Sequence, residues 1–316
     1  MVRVESLEAR DNRIQTTVTK FRVDSGVEYE VHYYTRFIGQ STELWIFGCG
    51  LGDQTLINQL GDGFLEHLDF HDDPELGNIM LTVGTGISAY YPYKGDHNLA
   101  WIWGVNCEQF PEHMKNFEGV QPEIILSPYQ DLRDKAEEMG YISRDFYSGV
   151  GRQFRPLFRE RDGLGFAGLD NKGEGQRHKV LQPAIDHGNF EWISDKPDVK
   201  KLNIDELNEW YNSKQILFGM VAEDRANIKY VPTRLLETLG SGTPLIISRL
   251  IGVEESVGFQ YPYQTDSYEE TEKHIHHILD NFEDVKQECL GYSRYIREHH
   301  SYPIRVERLL NWMSAL

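Results

Sequence analysis

The residues with the clearest chemical use lie between Pro232 and Ile246, in the run PTRLLETLGSGTPLI. Pro232 stands before a helical pattern, and the Thr233 hydroxyl is placed to cap it by accepting from an early helix N–H. Leu235, Leu236 and Leu239 make the inward stripe, and Glu237 falls on a different face from Leu235 and Leu239. Gly240 and Gly242 end the helix, and Pro244-Leu-Ile-Ile opens a strand. A helix start offers free backbone N–H groups and the positive end of the helix dipole, which together favour an anion. A carboxylate one turn further in can accept hydrogen bonds from two ribose hydroxyls. One helix can then hold a nucleotide diphosphate at its tip and the ribose on its flank. Taken alone, the same run also describes an ordinary capped helix before an ordinary strand.

Other chemistry-bearing clusters have plainer readings. DFHDD at 69–73 offers Asp69, His71, Asp72 and Asp73 to a hard cation, but reads as a solvated loop, and no metal is assigned. His274 and His277 lie about one turn apart, and two imidazoles alone make a poor metal site. Arg152, Arg155, Arg159 and Arg161 form a local basic cluster suited to one phosphorylated ligand. Around it the chain is acidic, with a formal net charge of -18 over 316 residues. Such a field repels nucleic acid and anionic membrane surfaces. Cys49, Cys107 and Cys289 are odd in number and lack CxxC spacing, which argues against a disulfide framework and for a reducing compartment.

The elements that position these residues read as an α/β protein. Residues 14–38 suggest a β-hairpin around the turn DSG. LWIFGCGLGD (44–53), NIMLTVGTG (78–86), NLAWIWGV (98–105) and PEIILSP (122–128) read as buried strands, with a helix across 54–67. YQDLRDKAEEMG (129–140) is a helix closing on Gly140, and FYSGVG (146–151) a short strand and turn. A second series follows: LGFAG (164–168), a helix from about Arg177 to His187, FEWIS (190–194), an amphipathic helix over 204–213, and QILFGMV (215–221). The 232–246 segment and a largely helical remainder complete it. Strands alternating with helices require parallel sheets covered on both faces. The charged N-terminus has no signal-like apolar region, and no apolar run approaches a membrane span, so a cytoplasmic enzyme without stable membrane insertion is expected.

NLAWIWGVNCEQFPE, PEIILSPYQDLRDKAEEMG, YSGVGRQFRP, LGFAGLDNKGEGQRHKVLQPAI, IDELNEWYNSKQILFGMV, PTRLLETLGSGTPLIIS and REHHSYPIRVERLL occur in that order. Together they resemble the successive landmarks of GT-B glycosyltransferases, especially the spore-maturation-type (group 1) branch, over about residues 98–316. The resemblance implies two Rossmann-like lobes facing across a cleft. Residues 1–150 would form the acceptor lobe with its N-terminal hairpin, and 151–298 the nucleotide-sugar lobe. Residues 299–316 would return as a helix to the first lobe. It implies transfer of a sugar from a UDP- or GDP-linked donor to an acceptor hydroxyl, with no required cofactor. The acceptor stays open among a glycan, a lipid-linked glycan, a protein, a small molecule and modified DNA.

Carried over residue by residue, Glu237 matches the glutamate that holds the donor ribose, and Thr233 and Arg234 the helix tip near the diphosphate. The loop after LGFAG, from Gly168, matches a phosphate loop, which makes Lys172 and Arg177 diphosphate candidates. Gly48, Gly50 and Gly52 match the glycine loop of the first lobe. Lys229 stands where many retaining members carry a second glutamate, and a lysine there can neutralise a donor phosphate or carboxylate instead. Inverting transfer needs a base in the first lobe. Glu108, after the strand NLAWIWGV, and Asp96 and His97, just before it, are the candidates, each also readable as a solvated loop charge. Two other readings stay open. The glycine-ended strands IFGCGLGD and IMLTVGTGIS also suit a pyruvyl-type transferase on a similar scaffold, and Lys229 suits a nucleotide-binding relative without catalysis.

Overall fold

The computed structural model describes residues 4–11, 13–22, 29–38, 43–49, 57–66, 78–83, 96–102, 105, 107–117, 121–168, 174–193, 202–221 and 228–316. Gly50, Gly52, Lys172 and the 69–73 cluster lie outside them. The fold is mixed α/β, in two compact units: Met1–Tyr147 with Tyr302–Leu316, and Ser148–Ser301.

The first unit is built on one eight-stranded sheet whose strands lie in chain order. These are β1 (Val4–Asp11), β2 (Ile14–Arg22), β3 (Tyr29–Ile38), β4 (Glu43–Cys49), β5 (Asn78–Val83), β6 (His97–Trp101), β7 (Ile124–Ser127) and β8 (Ile142–Asp145). β1 to β4 pair antiparallel and β4 to β8 parallel. Alternate residues of the parallel strands, among them Ile46, Leu81, Trp101 and Leu126, face one core. Helix α1 (residues 57–66) enters that core with Ile57, Leu60, Phe64 and Leu65. So do Tyr302, Val306, Leu309, Leu310 and Met313 of the last helix, α11 (Tyr302–Met313). Helices α2 (Phe110–Met114) and α3 (Gln130–Glu138) follow β6 and β7, and Gly140, at φ +87, closes α3 as its sequence suggests.

Gly61 sits in α1 directly over the Phe37 ring, where an added Cβ would fall 1.9 Å from a ring carbon. Phe37 is itself buried, so neither side can give way. Gly61→Ala is expected to destabilise this unit by about 2–3 kcal/mol, read as a lower denaturant midpoint with an unchanged slope.

One expectation for this unit needs correction. The strand near 146–151 lies earlier, at β8, because Ile142–Asp145 ladders with β7. Phe146 instead drops into the core, edge-on to Trp101 at 4.8 Å, and its carbonyl accepts the Trp101 indole N–H. β1 lies ahead of the expected hairpin: its sequence VESLEARD has no apolar alternation, and its pairing with β2 makes it a strand.

The second unit holds a five-stranded, all-parallel sheet in the order β10-β9-β11-β12-β13. Its strands are β9 (Leu164–Ala167), β10 (Phe190–Ile193), β11 (Ile216–Gly219), β12 (Leu245–Ser248) and β13 (Gln264–Thr265). Helices α4 (Glu174–Val180), α5 (Gln182–His187) and α9 (Tyr268–Asp280) pack together. A second group is α6 (Ile204–Ser213), α7 (Thr233–Gly240) and α10 (Phe282–His299). The helix expected over 177–187 is two helices, interrupted at Leu181 with Pro183 in the first turn of the second, a position where proline costs no hydrogen bond. The tail is largely helical, as expected, and adds the two-residue strand β13 and the short helix α8 (Val253–Val257). Among the described residues no helix is long and apolar enough to cross a membrane.

Candidate functional site

In the second unit the chain starts at β9, steps to β10 on one side, then crosses back to β11, β12 and β13 on the other. Neighbours β9 and β11 therefore send their connections in opposite directions. In open parallel sheets the crevice beyond the carboxyl ends of such a pair is where ligands bind. Here those ends are Ala167 and Gly168 after β9, and Gly219 to Val221 after β11. Several polar groups converge on this edge. Ser248, ending β12, accepts from the Val221 N–H at 3.2 Å and donates to buried Gln176 of α4 at 2.8 Å. The Trp192 indole N–H donates to the Gly168 carbonyl at 2.9 Å, and the Arg177 guanidinium lies 5.6 Å from the Trp192 ring centroid. Arg177 is thus held on the flank of the β9 end.

Helix α7 starts at the same edge, because it follows β11; Arg234 Cγ would lie 3.5 Å from a Cβ added at Gly219. Its tip differs from the sequence expectation. Pro232 is the N-cap and Thr233 the first helical residue, so Thr233 cannot cap; its hydroxyl is instead 2.8 Å from that of Ser148. No side chain caps α7, so its positive end keeps the character of an anion site. Gly242, at φ +66, allows the sharp exit into β12.

Arg234 is turned inward. Its guanidinium donates to the Tyr211 hydroxyl of α6, with the ring centroid 5.5 Å away. Three residues on, Glu237 is buried, only 9% exposed. Burial pushes its carboxyl up to about 7, against a smaller opposing pull from Arg234. A carboxyl in this state gains much from ligand hydroxyls that donate to its ionised form. Lys229 is committed elsewhere: its ammonium pairs with Glu255 of α8 at 2.5 Å, and its stem lies over Gly252. The Glu255 carboxyl is held below its ordinary value by that ammonium.

In the first unit the structure separates the three base candidates. Asp96 and His97 stand where β6 begins, and His97 Nδ1 lies 2.9 Å from Glu123, just ahead of β7. Glu108 is exposed in a turn beyond the other end of β6, roughly 13 Å of strand away. Only Glu108 is thus at the carboxyl edge of the parallel strands. Among the described residues no group of three His, Cys, Asp or Glu side chains is placed to hold a metal ion. Sequence reasoning missed Tyr211, Gln176, Ser248 and Trp192, whose roles depend on partners distant in the chain.

No protein-family model matches the chain, and no curated protein matches it. Among solved structures it is similar to TarM, at 9% identity over 98% of this chain and 79% of that one, with a TM-score of 0.49. A glycosylation-associated protein complex of Streptococcus agalactiae aligns at 10% identity, 98% and 79% coverage and a TM-score of 0.47. The DNA-modifying enzyme β-glucosyltransferase, solved with and without its substrate uridine diphosphoglucose, aligns at 9% identity, 75% and 79% coverage and a TM-score of 0.47.

Proposed function

We propose that the chain is a glycosyltransferase that moves a sugar from a UDP- or GDP-linked donor to an acceptor hydroxyl. One observation carries this reading: at the order reversal of the second sheet, an uncapped helix tip stands one turn ahead of a buried carboxyl, Glu237. A diphosphate suits the tip, because the helix dipole and backbone N–H groups favour its charge. A ribose suits Glu237, because two hydroxyl donors replace the water that burial removed. Arg177, beside Gly168 and Trp192, adds a cation on the flank. Lys229, expected from the sequence to neutralise a donor phosphate or carboxylate, is paired with Glu255 instead and is left out of this reading.

A screen of UDP- and GDP-sugars by thermal shift, with donor hydrolysis followed in parallel, tests this. At hundredfold saturation a cognate donor is expected to raise the melting temperature by about 5 °C or more. No shift with any nucleotide sugar would overturn the reading.

A nucleotide-binding chain without transfer is the second reading. It is favoured by the placement of Asp96 and His97 at the amino edge of β6, away from where site residues gather in parallel sheets. A thermal shift without hydrolysis or transfer to any acceptor class would select it.

A further inference from the structure

Between Val150 and β9 the chain runs from Gly151 to Gly163 without helix or strand, yet it is firmly pinned. The buried Phe154 ring stacks on Tyr211 at 5.7 Å. Asn208 and Asn212 of α6 accept the N–H groups of Arg155 and Leu157 at 3.2 and 2.7 Å, and Asn212 donates to the Arg155 carbonyl at 3.0 Å. Arg161 turns inward and donates to Gly242, Thr243 and Asn212, all neutral acceptors. What this frame leaves outside is unusual for a chain of net charge -18. Arg152, Arg155 and Arg159 are exposed, and Phe158 among them is 95% exposed. Beside them lies a cavity of ≈ 510 Å³ with an apolar lining from Pro156, Leu157, Phe282 and Leu290, and with Lys286 at its side.

An aromatic ring held in water beside arginines on a pinned backbone combines two residue types, Phe and Arg, that are enriched in protein interfaces. The frame removes most of the ordering cost that a loop would otherwise meet on binding. The position is independent of the nucleotide reading. Gln215, Asp162 and the Arg161–Gly242 contact all lie where strands of the second sheet begin, opposite the carboxyl edge that α7 faces.

We propose that the Arg152–Arg161 segment and its adjoining cavity form a docking surface for an acidic polypeptide segment that carries an aromatic or aliphatic side chain. The arginines match the acidic residues, and the cavity beside Phe158 takes the apolar one. A polypeptide fits better than an anionic lipid surface on two grounds. The site is concave, and Glu160, Asp162 and Glu283 are interspersed with the cations, so a uniform negative plane meets repulsion that a patterned chain avoids.

The test is fluorescence anisotropy of a labelled random copolymer of glutamate and tyrosine, titrated with the whole chain at low and at physiological salt. A protein of this charge should otherwise repel that probe. Binding is expected, weakening with salt. Phe158→Ala is expected to weaken it about tenfold, and Arg155→Ala with Arg159→Ala about tenfold with a flatter salt dependence. Lys273→Ala with Arg297→Ala, an equal charge change on α9 and α10, should leave it unchanged. All these side chains are exposed, and unchanged melting curves will confirm folding. Three outcomes overturn the proposal: no binding at low salt; equal affinity for all variants; or binding of phosphatidylglycerol vesicles, or of a second copy by sedimentation, in place of the copolymer.

Discussion

Glu237→Gln is expected to make the protein more stable at neutral pH while removing its response to a nucleotide sugar. The stability effect follows from the raised carboxyl, at about 7 in the fold against an ordinary value near 4.5. Between those values the folded chain holds a proton that the unfolded chain has released. Stability contributed by this group therefore falls as pH rises from about 4.5 to 7, and the loss is complete above 7. Its full size is on the order of 3 kcal/mol. A neutral amide of similar shape carries no such penalty, so the variant gains about 2–3 kcal/mol at pH 8, and the gain shrinks as pH falls into the ordinary carboxylate range. The binding effect has the opposite sign. Two ribose hydroxyls donating to a carboxylate contribute about 3 kcal/mol, so the variant binds a cognate nucleotide sugar roughly a hundredfold more weakly.

The wild-type pH profile adds a second readout. If the ionised carboxyl is what binds, affinity drops about tenfold per pH unit below 7, and binding near neutrality releases a proton. Calorimetry in buffers of different ionisation enthalpy reads that proton directly. A flat pH profile in the wild type, with unchanged affinity in the variant, would remove Glu237 from the site and leave it only as a strained packing residue.

The second large effect is expected at Asn212. This side chain is fully buried, and it accepts the Leu157 N–H and donates to the carbonyls of Arg155 and Asn208. Asn212→Ala removes these bonds together and strands two backbone groups of an irregular segment that has no strand or helix to fall back on. The expected cost is about 2–4 kcal/mol in denaturant unfolding. The effect is also local. Hydrogen exchange at Leu157 should accelerate more than exchange in β11 or β12, because the segment loses its anchor before the sheet loses its packing. Uniform acceleration across the second unit would instead mean that Asn212 serves the unit as a whole.

The parts of this protein that sequence makes visible are those whose cause is local. The α7–β12 run was legible because its leucines repeat at helical spacing, and Gly242 meets a backbone angle that other residues rarely adopt. The parallel strands were legible as short apolar runs. What stayed hidden depends on partners far along the chain. Asn208 and Asn212 lie on the buried side of α6, where the apolar pattern had pointed to Leu207 and Trp210 beside Tyr211; their use appears only when the loop some 50 residues earlier lies against them. Thr233 looked like a cap, but Pro232 takes that position and Ser148 takes the hydroxyl. Lys229 looked available to a ligand until α8, 26 residues on, supplied Glu255. The placement of His97 before one strand and Glu108 after it was legible, but the contact of His97 with Glu123, 26 residues on, was not.

The return of α11 to the first unit has a consequence for how the chain is made. Tyr302, Val306, Leu309, Leu310 and Met313 fill a core whose other buried members precede residue 147, and residues 148–301 are synthesised between the two. At roughly 5–20 residues per second, the ribosome needs on the order of ten seconds or more to cross that interval. The second unit, continuous in sequence, can fold as it emerges. The first must wait with the part of its core that α11 covers still open to water, and transiently exposed apolar surface is what makes a nascent chain prone to aggregate.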